Sequence, residues 1–410
     1  MKQLRIAIWH NLPSGGGKRA LWHHVSGLLK RGHQVESWCP STASQDFLPL
    51  SRLCTEHVLP FRWYGLFKGA PDVPRLIKEM DALCRECGRQ IEEKGFDILL
   101  ANSCYFFATP AIARFVRIPK VVYLGEPRRE LYEALPKLLW LATPERGSGL
   151  RRFQWARSLA NLVRIPALRW RALAELANAE AFDEILVNSL FSRESVLRAY
   201  GLDAHVCYLG VDTELFQPSG EPPENYVIGL GAFHYWKGLD RAVKAVGAIP
   251  AAARPALVWV GDSADAHYIA TIQKLALDLG VKFEMKNMIS DKELVSLISR
   301  SRAMLYTSRL EPFGLAPLEA NACGVPVVGV AEGGVRESIE HGRNGLLAPD
   351  AQPANLAAAL MTILGNPTLA AEMRSKAREH VVSRWSLDSG ISRLEEILLQ
   401  RIKASRTASH

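Results

Sequence analysis

The run EPFGLAPLEA carries two glutamates, Glu311 and Glu319, eight positions apart. An ionised carboxylate only accepts hydrogen bonds, so such a pair suits hydroxyl groups and is a poor ligand for phosphate. Between them stand Phe313, Gly314 and Leu315. Pro317 suits the first turn of a helix and Gly324 its end, which predicts a helix from about Ala316 to Cys323. The backbone N–H groups of Phe313, Gly314 and Leu315 then lie near a helix N-terminus, where anions are attracted. Glycine at 314 lets a ligand approach the backbone closely. Acceptors at two depths with donors between them fit a molecule with sugar hydroxyls on both sides of phosphates, which is the shape of a nucleotide sugar. Ordinary cap and surface glutamates would look the same on this stretch alone. Gly333 and Gly334, ahead of a helix starting near Val335, add a phosphate-sized loop close by.

These residues need elements to position them. "AMLYTS" reads as a strand, so "RLEPFG" is the loop leaving its carboxyl end, the edge where open parallel sheets bind ligands. Short apolar strands alternate with helical runs along the whole chain. "LRIAIW", "HQVESWC", "FDILLANS", "KVVYLG", "DEILVNS" and "AHVCYLG" are the strands of a first half, with helical "KRALWHHVSGLLKRG", "ATPAIARFVRI" and "SRESVLRAYG" between them. After the proline-rich "VDTELFQPSGEPPENY" the alternation restarts with "YVIGLGAF", "PALVWVG", "VKFEMKN", "AMLYTS" and "VPVVGV". This pattern implies α/β architecture with two doubly wound, Rossmann-like domains. The expected division is 1–212, 213–385, and a crossover helix and tail over 386–410, with the last residues, "RIKASRTASH", frayed.

The 410 residues, 48% hydrophobic and 22% charged, suffice for two cores. Seven cysteines with one isolated CxxC, Cys84 and Cys87, give neither a disulfide framework nor a zinc-binding spacing. The N-terminus lacks the cleavage pattern of a signal peptide, and no run of roughly 18 apolar residues is present. The expectation is a cytoplasmic protein. The formal charge of +8 is concentrated: residues 137–171 hold eight Lys or Arg and one Glu, interleaved with Trp140, Phe153, Trp155 and Trp170. That composition suits an anionic membrane surface, reached peripherally from the cytoplasm, or a solvated helix face. No nucleic-acid-binding motif accompanies it.

"EPFGLAPLEANACGVPVVGVAEGGVRESIEHGRNGLL" resembles the donor-site core of family-4 retaining glycosyltransferases. "YLGVDTELFQP" is similar to that family's inter-domain hinge and "GAFHYWKGLDRAVKA" to its phosphate-binding strand–turn–helix. "FDEILVNSLFSRESVLRAYG" and "YLGEPRRELYE" resemble a mannosyltransferase-like subgroup more loosely. The resemblance implies a GT-B fold, two Rossmann-like domains facing across a cleft, with the C-terminal helix (about 387–402) crossing back to the N-domain. It implies that Glu311 binds donor sugar hydroxyls, that Phe313, Gly314 and Leu315 give amides to sugar and phosphate, and that Glu319 holds the ribose. Lys237 would neutralise the diphosphate, with Gly333 and Gly334 beside it and Gly15, Gly16 and Gly17 approaching from the other domain. Two positions depart from the pattern. Ala232 stands where the family has arginine, and Gly125, beside Glu126, where it has histidine. His234 at the donor and His10 at the acceptor are available to compensate. Arg128 and Arg129, with Glu126, suit an acidic acceptor.

The implied activity is hexosyl transfer (EC 2.4.1-type) from a nucleoside diphosphate sugar to a glycan, lipid-linked or small-molecule acceptor, with retention, in polysaccharide or glycoconjugate biosynthesis. The acceptor would attack on the leaving-group face, the diphosphate helping to take its proton. No Asp-x-Asp motif follows a strand, so the reaction is expected to be metal-independent, with no cofactor beyond the donor. Neither "LPSGGGKRA" nor "LGAFHYWKG" has the G-x-G-x-x-G spacing of a dinucleotide-dependent oxidoreductase. A catalytically inactive sugar-nucleotide-binding or scaffold protein of the same fold is the alternative.

Overall fold

The computed structural model describes residues 3–62, 72–132, 154–261 and 266–408. The chain divides into two compact units. One comprises Met1–Asn188, Ser192–Cys207 and Ile391–His410; the other comprises Ser189–Phe191 and Tyr208–Gly390. The division at Cys207 and Tyr208 lies upstream of the boundary at 212 that the proline-rich run suggests.

The first unit is built on seven strands: β1 (Arg5–Asn11), β2 (Gln34–Pro40), β3 (Thr55–Leu59), β4 (Ile98–Cys104), β5 (Lys120–Tyr123), β6 (Glu184–Val187) and β7 (His205–Val206). They form one sheet in the order β3-β2-β1-β4-β5-β6-β7, and every pairing is parallel. The second unit holds β8 (Tyr226–Leu230), β9 (Ala256–Gly261), β10 (Phe283–Asn287), β11 (Ala303–Tyr306), β12 (Val327–Val330) and β13 (Gly345–Ala348). Their order, β10-β9-β8-β11-β12-β13, is again all parallel. Central strands such as β8, β11 and β12 are buried at every position, as expected where helices cover both faces of a parallel sheet. Each sheet reverses its winding direction once, between β1 and β4 and between β8 and β11. Ligands bind outside the carboxyl ends of the strands at such a switch point.

The cores follow from this layering. In the first unit Trp9, Trp38, Leu99 and Ile112 are buried beside Cys84 and Cys87, so the CxxC lies on the apolar face of the helix Val73–Lys94. All cysteines are unpaired. In the second unit Trp259, Phe233, Leu305 and Val328 form the centre. Gly229 on β8 is required there, because a Cβ would run into the Trp259 ring.

Four local expectations change. The helix after β1 starts at Gly16 and runs to Lys30, so the glycine run is partly helical. "ATPAIARFVRI" contains only a 3-10 turn, Ala111–Phe115. The edge strand β3 has no counterpart among the strands read from the sequence. The tail is not frayed as far as described: the final helix runs Leu387–Ala408. From Ile391 it belongs to the first unit, where Glu395 takes Arg31 Nη1 at 2.5 Å and His33 Nε2 at 2.9 Å. Gly27 makes room for it, since a Cβ there would lie 2.5 Å from Ile391 Cγ1. Ile402 is buried and Arg406 reaches Asp97 at 3.7 Å, which keeps the last turns folded.

Of the basic-aromatic segment, residues 137–153 fall outside the described residues. The chain is helical over Gln154–Glu180, with Pro166 inside the helix. Among the described residues no single helix is long and apolar enough to cross a membrane; the sharply bent pair Pro353–Leu364 and Pro367–Arg384 meets that test only jointly.

Candidate active site

β11 ends at Tyr306 and the helix Leu315–Ala322 begins at Leu315, so Glu311 lies on the connecting loop and Glu319 within the helix. The loop turns at Leu310, a non-glycine residue with φ 49°, and at Gly314, the helix N-cap, with φ 89°. No side chain caps that helix. Its first-turn amides at Leu315 and Ala316 therefore remain available as donors, while Pro317 has none.

The Glu311 carboxylate is held from three directions. Oε2 accepts from Lys237 Nζ at 2.9 Å and from Ser308 Oγ at 2.6 Å. Tyr306, buried beneath it, contributes its phenol. Burial by itself would raise the Glu311 pKa, but the Lys237 ammonium and the hydrogen bonds from Ser308 and Tyr306 outweigh it and hold the carboxyl below its usual range. Burial and the facing Glu311 charge in turn push the Tyr306 phenol well up. Glu311 is thus ionised at neutral pH and still partly open to solvent, its side chain 18% exposed.

Lys237 comes from the other side of the switch point. It ends the 3-10 turn Tyr235–Lys237 that follows β8. Gly231, at φ 152°, gives the lysine stem passage: a Cβ would lie 3.2 Å from Lys237 Cγ. The two loops are tied together, with Thr307 Oγ1 donating to the Gly238 carbonyl at 2.8 Å and Arg241 Nη2 to the Thr307 carbonyl at 3.1 Å. His234 stacks on Trp236 with ring centroids 4.4 Å apart. The indole of Trp236 is half exposed.

Gly333 and Gly334 serve the same loop in a way the sequence does not suggest. A Cβ on Gly333 would stand 2.6 Å from the Glu311 carbonyl oxygen, and one on Gly334 would strike the Pro312 carbonyl. Gly334 N donates to that Glu311 carbonyl at 2.8 Å. The glycine pair is a close-packed bed for the Glu311 backbone. The Phe313 side chain is buried between Tyr208 and Trp385, so only its backbone can serve a ligand. Glu319 is half-buried on the helix.

In the first unit Gly15, at φ 135°, opens the helix Gly16–Lys30 without a side-chain cap. A Cβ on Gly15 or Gly16 would meet nothing within 4 Å, and one on Gly17 only Leu12 at 3.7 Å. Open backbone therefore stands at the end of β1, beside the first sheet's own switch point. His10 is not in that open region. It is fully buried, with Nε2 3.1 Å from Glu56 Oε1. Glu126 and Arg129 pair with each other at 2.6 Å. Arg128 Nη2 donates to the Tyr105 carbonyl at 2.5 Å, and its Nε is 3.6 Å from Glu175. Glu175 is fully buried, also receives the Tyr200 hydroxyl at 3.1 Å, and has its pKa raised by burial. Arg128 is thus already engaged by the protein. Gly125 has room around it, its nearest neighbour for a Cβ being Asn188 Nδ2 at 3.9 Å.

Several supporting groups escaped sequence reasoning: Ser308 and Tyr306 under Glu311, Glu175 under Arg128, and Glu337. The Glu337 carboxylate accepts from the amides of Leu190 and Phe191 at 2.8 and 3.1 Å and from the Tyr208 hydroxyl at 2.9 Å. Only "YTS", hydroxyls at a strand end just before the acidic loop, carried a readable signal. Among the described residues one group has metal-ligating composition: His10, Cys39 and Glu56, whose ligand atoms lie within 4.8 Å of one another.

Comparison with known proteins places these features. A family model described as Glycosyltransferase Family 4 matches residues 14–215, and one described as Glycosyl transferases group 1 matches residues 211–380. The chain is 27% identical over 258 residues to a D-inositol 3-phosphate glycosyltransferase of Catenulispora acidiphila, covering 57% of this chain and 60% of that one. It is 30% identical over 241 residues to a GDP-mannose-dependent phosphatidylinositol monomannoside mannosyltransferase of Mycobacterium tuberculosis, covering 53% and 61%. The matches thus span about 60% of the length of these relatives. Among solved structures, HepE of Anabaena in complex with UDP and glucose superposes with a TM-score of 0.71 at 18% identity, covering 97% of this chain and 100% of that one. Sucrose-phosphate synthase of Thermosynechococcus elongatus gives 0.71 at 19% identity, covering 98% and 100%.

Proposed function

The chain belongs to the group 1 and family 4 glycosyltransferases of GT-B fold, and from that premise we propose that it transfers a hexose from a nucleoside diphosphate sugar to a glycan, lipid-linked or small-molecule acceptor, with retention. The observation that carries this reading is the Lys237–Glu311 pair at the carboxyl ends of β8 and β11. One carboxylate, held ionised, and one ammonium stand side by side where an α/β sheet takes its ligand. Ser308 and Lys237 share a single Glu311 oxygen. A carboxylate has about four acceptor positions and an ammonium three donors, so each retains capacity for a ligand.

In this reading Glu311 grips a sugar hydroxyl, the Leu315 and Ala316 amides and Lys237 face the diphosphate, and Glu319 holds the ribose. Gly333 and Gly334 keep the Glu311 loop in place; Gly15, Gly16 and Gly17, in the first unit, carry open backbone donors of their own. The protein's contribution is orientation and stabilisation of the charge that develops on the departing diphosphate. His234 is the nearby group available where Ala232 replaces the family's arginine. Glu126 and Arg129, paired with each other, are assigned to the acceptor, while Arg128 is taken up by Tyr105 and Glu175. The relatives include a D-inositol 3-phosphate glycosyltransferase and a GDP-mannose-dependent phosphatidylinositol monomannoside mannosyltransferase, which supports phosphorylated-polyol and lipid acceptors as first candidates.

The test is donor hydrolysis and transfer with UDP-, GDP- and ADP-hexoses in the presence of EDTA. Release of the nucleoside diphosphate, strongly reduced in Glu311→Gln, is expected. Binding of UDP, GDP or ADP without any turnover would instead identify an inactive sugar-nucleotide-binding protein. Activity silenced by EDTA and restored by manganese would overturn the metal-independent mechanism.

A further inference from the structure

β4 leaves the first sheet at that sheet's own switch point. Its last residue, Cys104, pairs with Asn11, the last of β1, and the next amide, that of Tyr105, donates to the Asn11 carbonyl at 2.8 Å. Tyr105 therefore stands where a sheet wound in both directions takes its ligand. The four residues that follow it are buried, Phe106 and Phe107 both 2% exposed, whereas Tyr105 is 58% exposed. Its ring meets that of Phe106 edge-on, with centroids 5.4 Å apart.

A tyrosine on a loose surface loop would show the same exposure, but this loop is clamped. Arg128 Nη2 donates to the Tyr105 carbonyl at 2.5 Å and to the Phe106 carbonyl at 3.3 Å, and Arg171 Nε donates to the Phe106 carbonyl at 3.0 Å. Glu175, wholly buried, accepts from the Ala108 amide at 3.1 Å and faces both guanidinium groups, at 3.6 and 3.9 Å. Asn178 Nδ2 donates to the Thr109 carbonyl at 3.0 Å, and the Cys104 amide to the Ala108 carbonyl at 3.2 Å. Burying a carboxylate with its cations carries a desolvation penalty that apolar packing avoids. What the network fixes here is a single backbone path under Tyr105, and a binding group held beforehand loses little affinity to ordering. Through Arg128 the same clamp ties in the loop that carries Glu126 and Arg129.

We propose that Tyr105 is an acceptor-binding residue of the first unit, its exposed ring forming a stacking face for a ring-shaped polyol, a pyranose or a cyclitol. This rests on the transferase reading given above and adds the chemistry that would recognise the acceptor. The C–H bonds on one face of such a ring are slightly positive and meet the negative face of the phenol ring. Its hydroxyls point outward and stay free for hydrogen bonds, which the charged Glu126–Arg129 pair on the tied loop can make. An acyclic polyol has the hydroxyls but no flat C–H face.

The experiment titrates the full chain, as wild type, Tyr105→Ala and Tyr105→Phe, with three probes followed by saturation-transfer NMR. Methyl α-mannopyranoside and D-inositol 3-phosphate are the ring compounds, and glycerol 3-phosphate is the acyclic one. Saturation of the ring C–H protons is expected with the wild type. Tyr105→Ala should weaken both ring compounds about five- to tenfold, the size of one stacking contact, and Tyr105→Phe, which keeps the ring, should retain them. Glycerol 3-phosphate should respond little to either change. No saturation of the ring compounds on the wild type, or equal binding to Tyr105→Ala, would overturn the proposal. An equal loss of glycerol 3-phosphate would overturn the ring selectivity. Thermal midpoints and calorimetry with UDP, GDP and ADP are recorded in parallel. Binding lost together with a lowered midpoint would make Tyr105 a structural residue, and nucleotide binding lost at an unchanged midpoint would make its ring a base platform; either result refutes the acceptor role. Hydrolysis of UDP-, GDP- and ADP-hexoses by the wild type tests the underlying reading separately. If none is hydrolysed, the transferase reading falls, whereas hydrolysis with unaltered ring binding in Tyr105→Ala removes only the role of Tyr105.

Discussion

The Ser308 hydroxyl donates to Glu311 Oε2 at 2.6 Å, on the same oxygen that receives Lys237. A sequence reading that stops at the glutamate misses how its charge is maintained. Glu311→Gln should keep the fold and lose a charge-assisted hydrogen bond to the sugar, which costs about 1.5–3 kcal/mol, or roughly ten- to a hundredfold in transfer. The Glu311 pKa is lowered in the folded protein. Its ionised form therefore stabilises the fold above the ordinary carboxylate value, and that contribution disappears as pH falls through the lower folded value. Ser308→Ala should shift the acid limb of the activity profile upward, towards the ordinary value. A profile unchanged in Ser308→Ala would show that Glu311 ionisation does not limit the reaction.

Lys237→Ala should slow transfer by about 10²–10³, the usual loss when an oriented donor is removed from developing charge. It should also raise the Glu311 pKa, since burial then acts with less opposition, so the residual activity should fall off at higher pH than in the wild type. If His234 substitutes for the missing arginine at Ala232, His234→Ala should be similarly impaired. Wild-type kinetics in His234→Ala would leave it as a stacking partner of Trp236. Steady-state kinetics across pH on both variants separates these outcomes.

Gly334→Ala should destabilise the second unit by about 1–3 kcal/mol, the range for forcing an extra carbon into a packed site. Gly333→Ala adds the strain of a left-handed backbone at φ 62°, about 1–2 kcal/mol. Both should depress transfer, because the displaced backbone is that of Glu311 and Pro312. Urea denaturation alongside kinetics provides the check, and variants with wild-type midpoints and turnover would refute the close-packed role.

The segment 137–171 should carry the protein to anionic liposomes and release it as salt rises. Its eight basic residues and four aromatics motivate this. Co-sedimentation with phosphatidylserine vesicles at low and high ionic strength, against phosphatidylcholine vesicles, measures it. Equal binding to both vesicle types would rule out an electrostatic contribution.

The two parallel sheets were legible because buried strands such as "YVIGL" and "AMLY" are short apolar runs bounded by turn residues. The edge strand β3 was not, because "TEHVL" is only half-buried and mixes charged with apolar residues. Missing it hid Glu56, and with it the reason His10 is buried. At the loop after β11, residue types singled out Glu311 and the family resemblance added Lys237, but neither showed that they touch. Contacts between residues 74 positions apart depend on the order β8-β11 in the sheet, which local pattern does not encode. The glycine pair was recognised by composition, but "GG" marks close approach or freedom alike, and only the packing of Glu311 on Gly333 shows the close approach.

The helix Leu387–Ala408 has a consequence for how the chain is made. Domains generally fold as units during synthesis, the N-terminal one first. Here the first unit is missing Ile391–His410 until the whole of the second unit has left the ribosome. Until then the helix groove beside Gly27, shaped for Ile391, stays unfilled, and Arg31 and His33 lack Glu395. The order of completion is thus inverted. The later-translated sheet can mature as a contiguous segment, while the earlier one waits with an open apolar seam, exposed to chaperones and proteases for the time it takes to synthesise the second unit.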